Sequence, residues 1–313
     1  MKQLALSLAA ASTITLPSQS FAASSLDGTI YGRINVSAVN TDNGTSNIYK
    51  LKSNASRLGF KGESKIADGL YAIYKAEFEI CVDDDNCKAR TFNQRNIVGG
   101  IRGSFGTVWA GKHDTPTKLA QNKIDLFNDL EGDIKNTFEG ENRVSNIVAY
   151  TSPTMNGFSS TVAVISGKRA DVNSDGISYS VSYNMDNLYM AITGDQDVDS
   201  QDLTRVVVKY KIDALKVGMM YQQNEDNVRA KDESGLFVSA AYQLDERITL
   251  KAQYGSIEDD ADGDEERTFS LGSDYKLAKG TKIYIFYTDN TDSFVGKLDK
   301  ENSTFGLGVE HNF

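Results

Sequence analysis

Acidic side chains gather in one stretch of this 313-residue chain. From His113 to Asn142 it reads HDTPTKLAQNKIDLFNDLEGDIKNTFEGEN, with Asp125, Asp129, Glu131 and Asp133 close together. Carboxylates grouped in this way can set up a local field or attract cations. Catalytic chemistry has little else to draw on. There are two histidines, His113 and His311, and nothing marks either as the base of a serine nucleophile. No phosphate-binding glycine loop and no zinc spacing occurs. The chain is therefore read as a non-enzyme without cofactor or metal.

Two further acidic stretches are weaker. Asp171-Val172-Asn173-Ser174-Asp175-Gly176 opens like a calcium-binding loop, but Ser182 stands at position twelve, where a bidentate acid is required. Glu258 to Glu266 holds seven acids in nine residues, and reads as a solvated rim first and a weak divalent site second. The acids at 113–142 differ because they are interleaved with Leu126, Phe127, Leu130, Ile134 and Phe138. That is too much apolar material for a disordered linker. About thirty residues without strand pattern is also too long for an ordinary connection. The stretch is expected to fold back into a larger structure and present carboxylates there.

Residues 1–22 read as a secretory signal peptide. Lys2 precedes the apolar run Leu4–Leu16, and Ser20-Phe21-Ala22 is a small-x-small cleavage site. Residues 23–313 would form the mature domain. Losing Lys2 removes one positive charge, taking the formal net charge from −10 to −11. That balance excludes general nucleic-acid binding. Cys81 and Cys87 enclose a short acidic run, and export to an oxidising compartment implies a disulfide between them.

The elements that must carry the acidic stretch are strands. Apolar and polar residues alternate along Ile30–Val36, Leu70–Ile80, Phe158–Ile165, Leu215–Tyr221 and Phe305–Phe313, among others. Sixteen such strands can be traced. A ten-residue strand tilted near 45° rises about 23 Å, which matches the roughly 25 Å apolar band of an outer-membrane barrel. Connections such as Ala67-Asp68-Gly69 and Met185-Asp186-Asn187 are short. They alternate with long polar loops at 41–54, 194–202, 222–234, 256–267 and 289–302. The expected fold is all-β: a sixteen-stranded antiparallel transmembrane barrel, with the stretch at about 113–142 folded into its lumen.

The chain also resembles the trimeric general diffusion porins of Gram-negative outer membranes. The likeness runs along the whole mature chain. It is carried by Tyr31-Gly32-Arg33, by Ser56-Arg57-Leu58-Gly59-Phe60-Lys61-Gly62-Glu63, and by Gly106–Lys112 and Asn142–Tyr150, which lead into and out of the family's third loop. Phe313, at the end of an alternating strand, resembles the signal read by the barrel assembly machinery. The resemblance implies a homotrimer embedded in outer-membrane lipid and lipopolysaccharide. It implies a third loop that narrows the pore, with wall arginines facing loop acids.

Strand parity turns Arg33, Arg57 and Lys61 toward the lumen. Arg95 and Arg143 join them through the resemblance alone, since each shares a parity face with isoleucine. Opposite them, Glu131 and Asp133 are the leading acids and Asp129 and Asp125 follow. The tip Asn128–Asp133 departs from the family's Pro-Glu-Phe-Gly-Gly. Such opposed rows would create a transverse field, passing ions and small hydrophilic solutes. Three rivals remain: a substrate-specific channel, a structural or adhesive barrel, and a barrel enzyme.

Overall fold

The structure is a computed structural model that describes residues 27–82, 92–167, 175–228 and 231–313. The signal peptide, Cys87 and most of the calcium-loop-like stretch lie outside the described residues.

One antiparallel sheet makes up the molecule. In chain order its strands are β1 (Gly28–Asp42), β2 (Asn47–Ser53), β3 (Arg57–Ala67), β4 (Leu70–Ile80), β5 (Phe92–Gly103) and β6 (Gly106–Asp114). After the inward stretch come β7 (Arg143–Thr151), β8 (Phe158–Ile165), β9 (Gly176–Met185), β10 (Leu188–Val198), β11 (Gln201–Ile212) and β12 (Leu215–Asp226). The last are β13 (Lys231–Gln243), β14 (Ile248–Asp259), β15 (Glu265–Ala278), β16 (Thr281–Ser293) and β17 (Lys300–Asn312). From β3 to β17 each strand pairs with the next, β1 pairs with both β2 and β3, and β17 pairs back onto β1 from Arg33↔Asn312 to Asp42↔Ser303. The sheet therefore closes on itself as a barrel. Phe313 completes the seam: its N–H donates to Gly32 O at 3.1 Å and its carbonyl accepts from Gly32 N at 3.0 Å.

β2 and β3 are one pass through the wall. They pair with successive parts of β1, and the break at 54–56 lies between them. The barrel thus has sixteen passes, as the alternation predicts. At the break, Ala55 takes φ +48°. Side chains replace the missing ladder bonds there: Ser56 Oγ accepts from Asn35 N and donates to Asn35 O, at 3.0 and 3.1 Å.

The exposed face is the apolar one. Along β12, Val217, Met219 and Tyr221 point out while Gly218, Met220 and Gln222 are buried inside. Ile192, Val206, Leu236, Leu271, Ile285 and Leu307 continue the outward belt around the barrel. A belt of this extent is unstable in water and matches a hydrocarbon surround. No helix among the described residues is long and apolar enough to cross a membrane; the crossing is made by strands.

The long loops are shorter than the alternation suggests. Residues 47–53, expected in a loop, are strand β2, and β10 and β11 are separated only by Asp199 and Ser200. The strands run past the apolar band, where both faces meet water. Polar residues on both faces leave no alternation for the sequence to display.

Candidate functional site

The stretch between β6 and β7 does enter the lumen. Its root is closed by Thr115 N donating to Asn142 O at 3.0 Å. A single helical turn, α1 (Pro116–Ala120), follows, with Pro116 in its first turn and Thr115 as its cap, whose side chain accepts from Lys118 N. Beyond it the chain lies against the opposite wall. Ile124, Ile134 and Phe138 pack with Tyr189, Val207, Met220, Phe237 and Ile257, from strands β10 to β14. Phe127 and Leu130 pack with Val39, Tyr284 and Phe286.

Wall glycines make room for these side chains. A Cβ on Gly255 would stand 2.9 Å from the Phe138 ring, and one on Gly272 would stand 2.9 Å from the Phe127 ring. Polar clamps secure the same segment. Gln253 accepts from Leu126 N at 2.9 Å and donates to Gly132 O at 2.6 Å. Arg205 is fully buried; it donates to Glu141 Oε1 and Glu139 O, each at 2.7 Å, and to Gln222 Oε1 at 2.9 Å through Nε.

These anchors set the loop tip against the wall of β1 and β3. Arg33 and Arg57 are register partners on those strands. Two like charges directly opposite one another repel. Asp129 sits between them: Arg33 donates to its Oδ2, and Arg57 Nη2 donates to the same oxygen at 3.1 Å. Asp129 holds φ +68°, a left-handed conformation that aspartate tolerates better than most residues. Burial pushes its carboxyl up, but Arg33 and Arg57 outweigh burial and hold it below the usual carboxylate range. Glu131 accepts from Lys52 at 2.5 Å.

The other predicted acids turn inward on the loop itself. Asp133 accepts from Asp129 N at 2.7 Å and Lys135 N at 3.0 Å. Its remaining charge meets Lys135 Nζ at 3.1 Å. Asp125 accepts from Phe127 N at 2.9 Å and Ile134 N at 3.0 Å. Burial, then the neighbouring Asp133, pushes the Asp125 carboxyl well above the ordinary range. Both residues shape the loop; among the described residues neither pairs with a wall arginine.

Two of the predicted arginines meet acids rooted in the wall rather than the loop tip. Arg95 donates to Glu77 at 2.9 Å and to Glu79 at 3.1 Å. Arg143 pairs with Asp114 at 2.9 Å. Parity failed for Arg95 because the β4–β5 register shifts between Ala76 and Phe78. Arg95 and Asn96 together oppose Glu77, a β-bulge that buries both. A second register shift, at Asn146 (φ +59°), separates Arg143 from Ile147. Lys61 is exposed, with its ammonium 5.1 Å from the Tyr31 ring centre.

Glu77 was not among the residues that the sequence singled out. It accepts from Tyr31 Oη at 2.8 Å as well as from Arg95, with Arg57 and Lys75 at 3.9 and 3.7 Å. Arg205 was missed as well, since the visible alternation of β11 begins at Val206. Beside the loop tip a cavity of about 610 Å³ stays open; six basic and five acidic side chains line it, including Arg57, Arg95, Lys52, Asp129 and Glu131.

A closed barrel with an apolar exterior, a charged interior and an inward third loop invites comparison with known channels. Residues 5–295 match the family described as Gram-negative porin. The chain belongs to that family. Outer membrane porin protein 32 of Delftia acidovorans is 25% identical over 91% of this porin and 93% of its own length. Among solved structures, an anion-selective porin from Comamonas acidovorans superposes with a TM-score of 0.77 at 19% identity, covering 91% of this chain and 99% of that one. The trimer form of OmpT from Vibrio cholerae gives a TM-score of 0.72 at 18% identity, covering 92% of this chain and all of that one. This porin is an outer-membrane barrel and a diffusion channel. Porins are channels rather than enzymes.

Proposed function

We propose that the lumen passes ions and small hydrophilic solutes through a charged narrowing formed by the inward loop and the wall of β1 to β5. The observation that supports this most directly is the position of Asp129, held between Arg33 and Arg57 beside an open, charge-lined cavity. Arg33, Arg57, Arg95 and Lys52 present positive charge to the water path. Asp129, Glu131, Glu77 and Glu79 return it. Solutes with dipoles align in such a field, while apolar ones must displace oriented water. Asp125 and Asp133 act indirectly, by holding the loop's shape.

The working unit is a homotrimer. Support comes from the family and from a shallow apolar concavity of about 380 Å³ on the outer face, lined by Val36, Ala38, Leu51, Ile283, Leu307 and Val309. The chain is exported by its first 22 residues, carries a Cys81–Cys87 disulfide, is delivered by the barrel assembly machinery and sits among lipopolysaccharide.

Planar-bilayer recording tests the proposal. In about 1 M salt, purified protein should insert with large conductance steps in groups of three. Arg57→Ala should move the reversal potential in a salt gradient toward cation preference. A closed barrel, or a reversal potential that does not move, would overturn the proposal.

A further inference from the structure

Beneath the inward loop the acidic excess of this chain gives way to lysines. Between the underside of the loop and the rim of short turns lies a cavity of about 520 Å³, within the range of small-molecule sites. Lys123 from the loop, Lys209 and Lys211 from β11, and Lys216 from β12 all line it. Among the described residues none of these four makes an ion pair. The two aspartates nearest the loop and wall are already engaged. Asp125 is taken up by loop N–H groups. Asp274 is held by Lys251 and Lys282 at 2.8 and 2.9 Å. The third, Asp186, is exposed in the β9–β10 turn.

Grouping like charges without counter-ions costs free energy, and the backbone adds to that cost. Asn122 and Lys123 both lie in the left-handed region, at φ +48° and +60°. Neither is glycine, and two such residues in a row are a strained arrangement. The strain has a visible result. Asn122 presents its carbonyl to Lys209 Nζ at 2.7 Å, and Lys123 comes to the edge of the cavity. Lys209 is also placed 5.6 Å from the Tyr189 ring centre. Its ammonium has three donors and uses one here, so others remain for a ligand. Ile124, Leu126, Leu188, Tyr189 and Ala241 give the wall an apolar part beside the lysines, and Asn184, Asn187, Ser239 and Thr249 add neutral polar groups.

We infer that this cavity is a binding site for small organic anions, a carboxylate carried on an apolar body. The lysines take the carboxylate and the surface of Ile124, Leu126 and Tyr189 takes the hydrocarbon. The inference rests on the channel reading only in assigning the short-turn rim to the periplasm.

Binding and conduction are measured separately. Equilibrium dialysis of 3-phenylpropionate against the detergent-solubilised barrel should show saturable uptake, with acetate and inorganic phosphate competing far less well. Lys123→Gln/Lys216→Gln should weaken that uptake by roughly tenfold. Arg57→Ala, at the loop tip, should leave uptake unchanged. In bilayers, 3-phenylpropionate should interrupt the current at lower concentration from the short-turn side than from the other. Equal competition by phosphate, or uptake unaltered in the double lysine variant, would overturn the site. Uptake without any current would instead count against the channel reading and leave the site standing.

Discussion

Asp129 is the residue on which the charge pattern of the loop tip turns. It separates two guanidiniums that the sheet register places opposite each other. Asp129→Asn keeps the shape and removes the charge, leaving Arg33 and Arg57 to repel. We expect a shift toward anion preference and a loss of about 1–3 kcal/mol of stability. Reversal potentials and thermal denaturation of the folded form would show both. The pH response follows from the depressed carboxyl. An acid whose folded pKa is lowered contributes above its ordinary value, near 4, and loses that contribution as pH falls through the lower folded value. Selectivity should therefore stay level from pH 7 to about 4 and move toward anions only below that. A shift centred on pH 5 or 6 would point to another group. At this scale the sequence was partly legible. Arg33 and Arg57 could be placed by parity, because β1 and β3 alternate regularly there. Arg95 could not, because a bulge reverses its facing. The loop acids were legible only as a group. Which one meets the arginines depends on loop turns that put Asp125 and Asp133 onto backbone N–H groups.

Among the elements, the inward loop is set by its contacts with the far wall rather than by its own secondary structure. One helical turn and one 3-10 turn, Ile134–Asn136, are all that it has. Its position depends on aromatic side chains lodged over wall glycines and on the Arg205 clamp. Arg205→Ala would leave Glu141 buried without its partner. Burial already raises the Glu141 carboxyl against the opposing pull of Arg205. The expected cost is about 3–5 kcal/mol. A lower melting temperature, with noisier open-channel current, is the expected readout. Gly255→Leu should displace the Phe138 ring and give a larger, less uniform conductance. A conductance and melting temperature both equal to those of the parent would contradict the socket. The strands themselves were readable from the sequence wherever lipid touches one face and water the other. Their outer ends were not, because water wets both faces there.

The whole molecule has three charge zones along its axis. Toward the long-loop rim a cavity of about 500 Å³ is lined by Asp195, Asp202, Glu225, Asp232, Glu233 and Asp260. Around the loop tip the two signs are nearly balanced, and beneath the loop lysines dominate. A channel with fixed charge graded along its length conducts unequally in the two directions. The current–voltage curve should bend at about 0.1 M salt, where screening extends about 10 Å, and straighten near 1 M, where it extends about 3 Å. The loop that divides these zones also changes the barrel as a mechanical object. A hoop of hydrogen-bonded strands yields to side pressure most easily by flattening into an ellipse. A spoke fixed at β6 and β7 on one side and at β10 to β16 on the other resists that mode of bending. The bore should therefore hold its width as lateral tension in the membrane rises and falls.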